Sequence, residues 1–465
     1  MPGRIKTRLE RDSMGTMRVP ADAYYGASTQ RAVLNFPISD LRFSRSFIRA
    51  LALIKLCAAD VNKRHGALDA SQASAIRKAA REVANGRFDE HFVVDIFQTG
   101  SGTSTNMNAN EVIATRAREI LGGKRADRQL IHPNDHVNHG QSSNDVIPTA
   151  THIAALIDIH TQLLPALRLL HDCLVRKANE FMPVIKTGRT HLQDATPITL
   201  GQEFMGYAGQ VERAISRVEH ACERLSEVAL GGTAVGTGIN THPEFAALVC
   251  LKLSKMLGFR IRETDNHFQA QSTMDEVVEA SGILKTIAVS LIKIANDVRW
   301  LGSGPRAGLG EIALPEVQPG SSIMPGKVNP VIAESILQAA AQVIGNDATI
   351  TFAGQSGSFE LNVMQPVAAY NLLQSIGLLA RSIDNFRERC LEDIEATSKG
   401  PECVRNGLML ATALVPAIGY DTAASIAHEA SQTGESILAV ALRRTSLTQP
   451  ELESLLDPFK MIGQH

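Results

Sequence analysis

Cysteine is rare in this chain, and the dispersal of its copies excludes most structural metal and redox sites. Among 465 residues there are six, none of them in a C-x-x-C pair: Cys57, Cys173, Cys222, Cys250, Cys390 and Cys403. A structural zinc ion or an iron–sulfur cluster needs clustered ligands, so we expect no metal site. Scattered cysteines among apolar residues are typical of buried, reduced thiols, which indicates a reducing compartment.

A surplus of charge of either sign is also lacking. The chain has 46 Lys and Arg residues against 48 Asp and Glu residues. Without a basic surplus we expect no nucleic-acid partner and no attraction to an anionic membrane. Near-neutral net charge does not exclude a small anionic ligand, because a locally positive pocket can bind one.

Long uncharged apolar runs are absent as well. The longest apolar stretch, residues 277–298, carries Glu279, Lys285, Lys293 and Asp297, so we predict no membrane span. The N-terminal sequence MPGRIKTRLERDSMGTM mixes charges of both signs and has no apolar core, unlike a secretory signal. These observations favour a soluble, cytoplasmic protein.

What the chain does contain is helical periodicity. Aromatic residues make up only 5% of it, and Ala, Leu and Ile dominate the apolar set, which favours helices over sheets. Apolar residues recur at steps of three and four over residues 151–180, 271–300 and 362–386, as on the buried face of an α-helix. Helices of about 25 residues exceed the usual globular length. They predict a bundle whose wide apolar faces are buried partly by neighbouring chains.

Between these helices lie polar, glycine-rich segments without a helical period. They cover residues 98–108, 132–145, 186–197, 231–244 and 319–330, and a further boundary falls near residues 398–401. The segments concentrate Ser, Thr, Asn, His and Lys, whose donors hold carboxylates by hydrogen bonds. We therefore expect these loops to carry the functional site on a helical scaffold.

The segment PGSSIMPGKVNP at residues 319–330 is the most specific of them. Its glycines permit unusual backbone shapes and its prolines stiffen the loop, but taken alone it could be a surface loop. The string is the signature of the fumarase/aspartase superfamily. The blocks QTGSGT, HPNDHVN, GQSSNDV, GRTHLQDATP, GGTAVGTG, NDVRWLGSGPR and FELNV stand in the order found in class II fumarate hydratases. The chain resembles that family over essentially its whole length.

The resemblance implies a mainly α-helical subunit of three domains. We place an N-terminal domain at residues 1–138, a central long-helix bundle at 139–397 and a small C-terminal helical domain at 398–465. The family also implies a homotetramer in which each active site is assembled from three subunits. The implied reaction is the reversible, stereospecific hydration of fumarate to L-malate, a step of the tricarboxylic acid cycle, without cofactor or metal. The expected partner is therefore a small dicarboxylate.

This reaction sets the groups that the site needs. Dehydrating malate removes a weakly acidic proton from the carbon beside a carboxylate. That carboxylate must accept the developing charge, so several donors have to converge on it. The hydroxyl must leave with a proton from a general acid. The site therefore needs a base, an acid and two carboxylate cradles.

By their match to the family motifs, four residues are expected to act in catalysis. Ser321 falls on the serine base, and Lys327 is a candidate to activate it. His191 matches the histidine that handles the proton of water, and Glu334 matches the acid that orients it. The expected substrate-binding residues are Ser101, Gly102, Thr103, Ser142, Ser143, Asn144, Thr190, Ser322, Lys327, Val328 and Asn329. Each alone would be read as a helix cap or a structural hydrogen-bonder, so the prediction rests on their joint presence.

The HPND segment resembles a second anion site outside the active centre. His132, Pro133, Asn134 and Asp135 match it. The family often has an arginine three residues before this histidine, where this chain has Gln129. The neighbouring Arg128 is the candidate replacement, and whether the second site functions stays open at this point.

Two other functions share parts of this pattern. Aspartases add ammonia to fumarate on the same scaffold; they typically read STN where this chain has SSN at 142–144, and AVP where it has ATP at 195–197. The segments AYYG at 23–26 and NFPIS at 35–39 nevertheless resemble aspartases. A non-catalytic helical scaffold would keep the apolar period but lose the polar loop residues, which this chain retains. The sequence favours a fumarate hydratase, with aspartase as the alternative.

Overall fold

The structure, a computed structural model, describes residues 6–463. Helices dominate that part of the chain, which confirms the mainly α-helical fold class. The α-helices are α1 (Ala27–Asn35), α2 (Arg45–Arg64), α3 (Ala70–Ala84), α4 (Thr103–Ile120), α5 (Ser143–Asp158), α6 (Leu164–Phe181), α7 (Leu200–Leu225), α8 (Phe245–Leu257), α9 (His267–Ser272), α10 (Asp275–Leu301), α11 (Val331–Gly354), α12 (Gln365–Phe386), α13 (Lys399–Arg405), α14 (Val415–Ile418), α15 (Tyr420–Thr433), α16 (Ile437–Arg444) and α17 (Gln449–Leu455). Short π-helical segments lie at Pro133–Val137, Ile159–Leu163 and Arg387–Leu391, and 3₁₀ turns at Asp89–His91, Leu408–Leu414 and Pro458–Lys460.

The strands pair two by two and form no common layer within residues 6–463. They are β1 (Thr7–Asp12), β2 (Gly15–Pro20), β3 (Ile185–Thr190), β4 (Gln193–Thr199), β5 (Glu227–Val228), β6 (Arg262–Glu263), β7 (Ile312–Ala313), β8 (Gly357–Ser358), β9 (Leu361–Asn362) and β10 (Glu395–Ala396). The pairs β1–β2, β3–β4, β8–β9 and β7–β10 are antiparallel, and β5–β6 is parallel. Such pairs cannot build a core alone, so the helices supply it.

All three periodic stretches are helical, as predicted. Residues 151–180 lie in α5 and α6, which continue into each other through the π-helical segment Ile159–Leu163. Residues 271–300 form most of α10, which has 27 residues, and residues 362–386 form most of α12, which has 22. The spacing of the apolar residues was enough to predict these helices, because an α-helix buries one continuous face.

Several of the polar segments are more regular than predicted. Residues 103–108 are already helical, because α4 begins at Thr103, and residues 186–197 form most of the β3–β4 hairpin. The boundary expected at residues 398–401 falls on the start of α13. In α4 the buried face carries amides, including Asn106, Asn108 and Asn110. A pattern of apolar residues could not show that face.

The chain folds into two compact units, each built from three separate stretches of sequence. The first contains the chain up to Leu164, Ser216–Thr286 and Ala341–Leu379. The second contains Pro165–Ile215, Ile287–Ala340 and the chain from Ala380 onward. The boundaries at 138/139 and 397/398 of the three predicted domains remain a prediction.

Each unit has its own buried apolar residues. In the first, α2 is buried over most of its length, from Phe47 to Asn62. In the second, a cluster from Val404 to Leu456 holds the C-terminal helices together. The stretch Ser143–Phe181 is long and apolar enough to cross a membrane by length and composition. However, 67% of its most apolar window is buried inside the protein, which is the packing of a core helix.

Candidate active site

Two helix N-termini in the first unit present a row of hydroxyl groups. α4 begins at Thr103 and α5 begins at Ser143. The Ser101 and Thr103 hydroxyl oxygens are 2.7 Å apart, and the Thr103 and Ser143 hydroxyl oxygens are also 2.7 Å apart. The free N–H groups and the dipole of a helix N-terminus favour anions. Three predicted substrate-binding residues thus meet in one group, which we call the hydroxyl row.

Gly102 makes the approach of these two helix ends possible. It caps α4 with φ at 72°, in the left-handed region that favours glycine. A Cβ atom added there would lie 2.9 Å from side-chain carbons of Ile147, which belongs to α5. A larger residue would therefore require Ile147 or the start of α4 to shift.

Ser142 and Asn144 fix the N-terminus of α5. The Ser142 hydroxyl accepts the N–H of Asn144 at 3.2 Å, and the Asp145 carboxylate accepts the N–H of Ser142 at 2.9 Å. This reciprocal arrangement is a capping box. The Asn144 amide donates to the carbonyl of Ala234 at 2.8 Å. The cap expected from the sequence is therefore present beside the hydroxyl row.

Asp145 and Lys55 are buried near this helix end, and the sequence analysis named neither as a functional residue. Both side chains are fully buried; Asp145 accepts the N–H groups of Gly231 and Thr233 at 3.1 and 3.0 Å. The Lys55 ammonium donates to Asn138 Oδ1 at 2.7 Å. Burial raises the pKa of Asp145 to about 6 against its backbone hydrogen bonds and Lys55, and burial lowers the pKa of Lys55 to about 7 against Asp145. The opposite charges offset each other, so Asp145 does not repel an anion at the hydroxyl row.

Residues 319–330 of the second unit, which we call the serine loop, are closed by hydrogen bonds between the two ends of the segment. The N–H of Gly320 donates to the carbonyl of Lys327 at 2.9 Å, and the Asn329 amide donates to the carbonyl of Gly320 at 2.7 Å. The Lys327 ammonium donates to Asn329 Oδ1 at 2.5 Å. A Cβ at Gly320 would lie 2.4 Å from the Lys327 carbonyl oxygen. Only glycine allows this close approach to the Lys327 carbonyl, which closes the loop that carries the predicted residues Lys327 and Asn329.

Ser321 is held so that its oxygen receives hydrogen bonds. The Ser321 Oγ accepts the backbone N–H groups of Ile323 at 3.2 Å and of Met324 at 3.0 Å. Hydrogen bonds donated to an oxygen stabilise its charged form. The loop therefore favours negative charge on the predicted base.

His191 lies at the tip of the β3–β4 hairpin in the second unit. Thr190 pairs with Gln193, so His191 and Leu192 form a two-residue turn, with φ at 58° and 60°. Turns of this kind normally use Asn-Gly or Asp-Gly, because both central residues need positive φ. For leucine this conformation is a genuine outlier. His191 and Leu192 are exposed, so the hairpin presents its tip to solvent.

Glu334 and the remaining predicted residues are also in the second unit. Glu334 lies in the first turn of α11 and is half-buried. Ser322 is exposed and Val328 is half-buried in the serine loop. Within residues 6–463 of one chain, no hydrogen bond or ion pair joins His191 to Glu334, so their pairing stays a prediction for the assembled protein.

The residues of the predicted second anion site lie close together, and Arg128 contacts one of them. His132 precedes the π-helical segment Pro133–Val137, which contains Asn134 and Asp135. An Arg128 guanidinium nitrogen lies 2.7 Å from His132 Nε2, and His132 Nδ1 lies 3.1 Å from Asp135 Oδ2. His132 Nδ1 also accepts the backbone N–H groups of Asn134 at 3.3 Å and of Asp135 at 3.2 Å. The arginine proposed to replace the family residue at position 129 therefore contacts the site.

Replacing Arg128 with alanine should abolish dicarboxylate binding at this second site. Burial, followed by the charge of Arg128, holds the pKa of His132 below its usual value, so the arginine is the main cation near pH 7. In the wild type, affinity should rise as pH falls through the pKa of His132, because a second positive charge then forms. Calorimetric titration with malate, with Ser321→Ala present to prevent turnover, measures this. Unaltered binding in Arg128→Ala would show that Arg128 does not replace the family arginine.

Family models match most of the chain. A model described as Lyase matches residues 15–345, and one described as Fumarase C C-terminus matches residues 410–463. Similar curated proteins include class II fumarate hydratases of Neisseria meningitidis serogroup A (50% identical, covering 98% of this chain and 99% of that protein) and of Halobacterium salinarum (54%, covering 97% and 96%). The mitochondrial fumarate hydratase of Danio rerio is 50% identical, covering 98% of this chain and 90% of that protein.

Solved structures agree in fold over the full length. The class II fumarase of Schistosoma mansoni superimposes with a TM-score of 0.95 at 39% identity, covering 98% of this chain and 99% of that one. A fumarate lyase:delta crystallin from Brucella melitensis bound to cobalt also gives 0.95, at 47% identity, covering 99% and 100%. These relatives favour fumarate hydration over the aspartase alternative. The chain therefore belongs to the class II fumarate hydratase family of lyases.

Proposed function

We propose that this protein catalyses the reversible, stereospecific hydration of fumarate to L-malate, in the tricarboxylic acid cycle. The observation that carries the proposal is the serine loop. In a chain related to fumarate hydratases over its full length, Ser321 Oγ receives two backbone N–H bonds, and Lys327 lies hydrogen-bonded to Asn329 in the same loop. This arrangement supplies a base that tolerates negative charge and donors for a carboxylate.

In the dehydration direction, Ser321 removes the proton from the carbon beside one carboxylate of malate. The electron pair moves into that carboxylate, giving a carbanion of aci-carboxylate form. Lys327, Asn329 and Thr190 donate hydrogen bonds to it, where they stabilise the transition state more than the substrate. His191, oriented by Glu334, delivers a proton to the departing hydroxyl on the opposite face. Fumarate and water result, and the reverse sequence is the anti addition of water.

The other carboxylate of the substrate binds at the hydroxyl row. Ser101, Thr103 and Ser143 offer hydroxyl donors there, and the N-termini of α4 and α5 add free N–H groups and positive dipole ends. Neutral donors of this kind bind a carboxylate without a full opposing charge. Since the buried Lys55 offsets Asp145, the cradle keeps its positive potential.

We propose further that the protein is a homotetramer with shared active sites. The residues of the hydroxyl row belong to one compact unit, and Ser321, Lys327 and His191 belong to the other. The long helices leave large apolar residues exposed, for example Val289 at 54% and Phe352 at 67%. Such residues are the expected contacts of neighbouring subunits.

Hybrid tetramers should test this sharing directly. Ser321→Ala and His191→Asn tetramers should each be nearly inactive. Dissociating and reassembling them together should restore activity, because some sites then combine an intact Ser321 from one subunit with an intact His191 from another. The matched control mixes Ser321→Ala with Lys327→Met, whose lesions lie in the same loop and should not complement. No recovery in the first mixture, despite verified hybrid assembly, would contradict sites that combine these residues from different subunits.

We place the enzyme in the cytoplasm, working without cofactor or metal and without a nucleic-acid or membrane partner. All six cysteines, each within the described residues, are free thiols, which suits a reducing compartment. The near-balance of acidic and basic residues supports the absence of polyanionic partners.

The activity is tested by the loss of fumarate ultraviolet absorbance in buffer containing EDTA, with and without ammonium. Consumption without ammonium, with L-malate as the product, is the expected result. Consumption of fumarate that requires ammonium and yields aspartate would show that the protein is an aspartase. No consumption in either buffer would contradict the proposal.

A further inference from the structure

Four charged side chains, two buried and two half-buried, form a charge-balanced group in and around the hairpin that carries His191. They are Lys186 and Arg189 of β3, Glu203 of α7 and Glu311, which precedes β7. We call this group the charge quartet. Lys186 is 1% exposed and Glu311 is 2% exposed. All four lie in the second unit, so the quartet is internal to one compact body.

Glu311 is the centre of the charge quartet. Its two carboxylate oxygens accept the guanidinium of Arg189 at 2.5 and 3.2 Å, a two-point contact. The Lys186 ammonium lies 3.4 Å from Glu311 Oε2 and 3.3 Å from Glu203 Oε2. Two cations and two anions cancel, which is the condition under which buried charges are tolerated. Removing any one leaves an uncompensated charge.

Glu311 is itself a fixed anchor. Its N–H donates to the carbonyl of Leu301 at 2.9 Å, and its carbonyl accepts the N–H of Thr397 at 3.0 Å. The backbone on both sides of Glu311 is therefore held by elements outside the hairpin. Because Arg189 stands two residues before His191, the two-point contact fixes β3 immediately before the turn.

The turn needs such a constraint. Two consecutive non-glycine residues at positive φ are unfavourable and persist only where their surroundings impose them. Of the two, Leu192 is 70% exposed, so burial of its own side chain does not hold it. The register also shifts between Thr187 and Arg189, so the pairs that close the turn are offset from the rest of the hairpin.

We propose that Glu311, through Arg189, is a positioning residue that holds the strained His191–Leu192 turn in its catalytic geometry. The inference rests on the proposed role of His191. The same carboxylate stands ten residues before Ser321, so one anchor fixes the strand leading to the acid and the start of the segment leading to the base. Glu311 itself does not contact substrate in this role.

The proposal predicts a loss in turnover rather than in binding. Glu311→Gln should lower kcat by about 10- to 100-fold, since a displacement of about 1 Å at a reacting group has effects of this order. KM should change less than threefold. Hydrogen exchange at residues 189–194 should become faster, while exchange in α15 and α16 stays unchanged. Arg189→Lys, which keeps the charge but loses the two-point contact, should show a smaller kcat loss. This variant tests the proposal if Glu311→Gln folds poorly.

A double-mutant cycle separates positioning from stability. Arg189→Met, Glu311→Leu and the double variant should lose similar factors in kcat, because each breaks one shared contact. The matched control is the two-point contact of Arg31 with Asp12, at 2.8 and 3.2 Å, where Arg31→Met should change stability but not kcat. Multiplicative kcat losses, or a fall in melting temperature without a kcat change, would overturn the proposal.

His191→Asn, measured in parallel, keeps the two assignments distinguishable. A large loss in His191→Asn with no loss in Glu311→Gln refutes the positioning role alone. No loss in His191→Asn refutes the role of His191 and the positioning inference with it. Conversion of fumarate to malate by the wild type is measured separately, so the overall reaction is tested independently of both variants.

Discussion

Replacing Ser321 with alanine should lower kcat for fumarate hydration by about 10³-fold or more, which is the upper part of the range for loss of a general base. The two N–H bonds from Ile323 and Met324 stabilise charge on Ser321 Oγ, and alanine has no atom to receive them or the proton. The loop should keep its shape, because its closing bonds involve Gly320, Lys327 and Asn329 instead. KM should change little. Steady-state kinetics in both directions measures the effect.

Ser436→Ala is the matched control for this prediction. Ser436 caps α16, and its hydroxyl likewise accepts a backbone N–H, from Ala439 at 3.2 Å. Its loss should cost about 1 kcal/mol of stability and leave kcat unchanged. If Ser321→Ala retained wild-type turnover, the serine would not be the base, whatever the effect of the control.

Replacing Asp145 with asparagine should destabilise the protein by about 3 kcal/mol and raise KM for fumarate more than tenfold, since Lys55 loses its buried counter-charge. The carboxylate accepts the N–H groups of Ser142, Gly231 and Thr233. Asparagine replaces one carboxylate oxygen with an NH₂ group, which would face these N–H donors and could not accept from them. The N-terminus of α5 and the adjacent hydroxyl row should shift. Chemical unfolding and steady-state kinetics measure the two effects.

Asp95→Asn provides the comparison for Asp145. Asp95 is 2% exposed and likewise accepts backbone N–H groups, from Ser39 at 2.5 Å and from Phe97 at 2.9 Å. Its replacement should also destabilise the protein, but KM should stay within twofold because Asp95 does not cap α5. Equal KM changes in the two variants would show that the effect comes from general destabilisation and not from the cradle.

The serine loop illustrates what could be predicted locally. Gly320, Lys327 and Asn329 contact one another within a single short segment. The sequence motif therefore includes all the residues that make these contacts. The same holds for the cap of α5, where Ser142 and Asp145 are three residues apart. Short-range hydrogen bonds of this kind follow from residue type and spacing.

The burial of Lys55 and its contacts could not be predicted from short-range patterns of this kind. In the sequence it interrupts an apolar helix, and a lysine there would be expected at the exposed edge of α2. Its partner Asn138 lies 83 residues away, and burial became tolerable only when that contact and Asp145 came together. A lone lysine within an apolar helical stretch was the available signal, but it does not identify the partner.

The β3–β4 hairpin was missed for a related reason. Gly188 and Pro197 interrupt any alternating pattern, and the turn His191–Leu192 lacks the residues that normally mark a hairpin. Its shape depends on Arg189 reaching Glu311, 122 residues later in the chain. Local residue preferences predicted a loop at this position. The structure instead has a hairpin with a strained turn, next to the long-range ion pair of Arg189 with Glu311.

The helical class, the long amphipathic helices, the family and the identity of the polar residues could be predicted from the amino-acid sequence, because periodicity and short motifs are properties of neighbouring residues. The folded structure was needed to show which hydroxyls meet across α4 and α5, that Lys55 and Asp145 are both buried, and that Glu311 contacts the strand leading to His191. These are contacts between residues far apart in the chain. Their stability depends on burial and charge compensation, which arise only when the folded chain removes the groups from water.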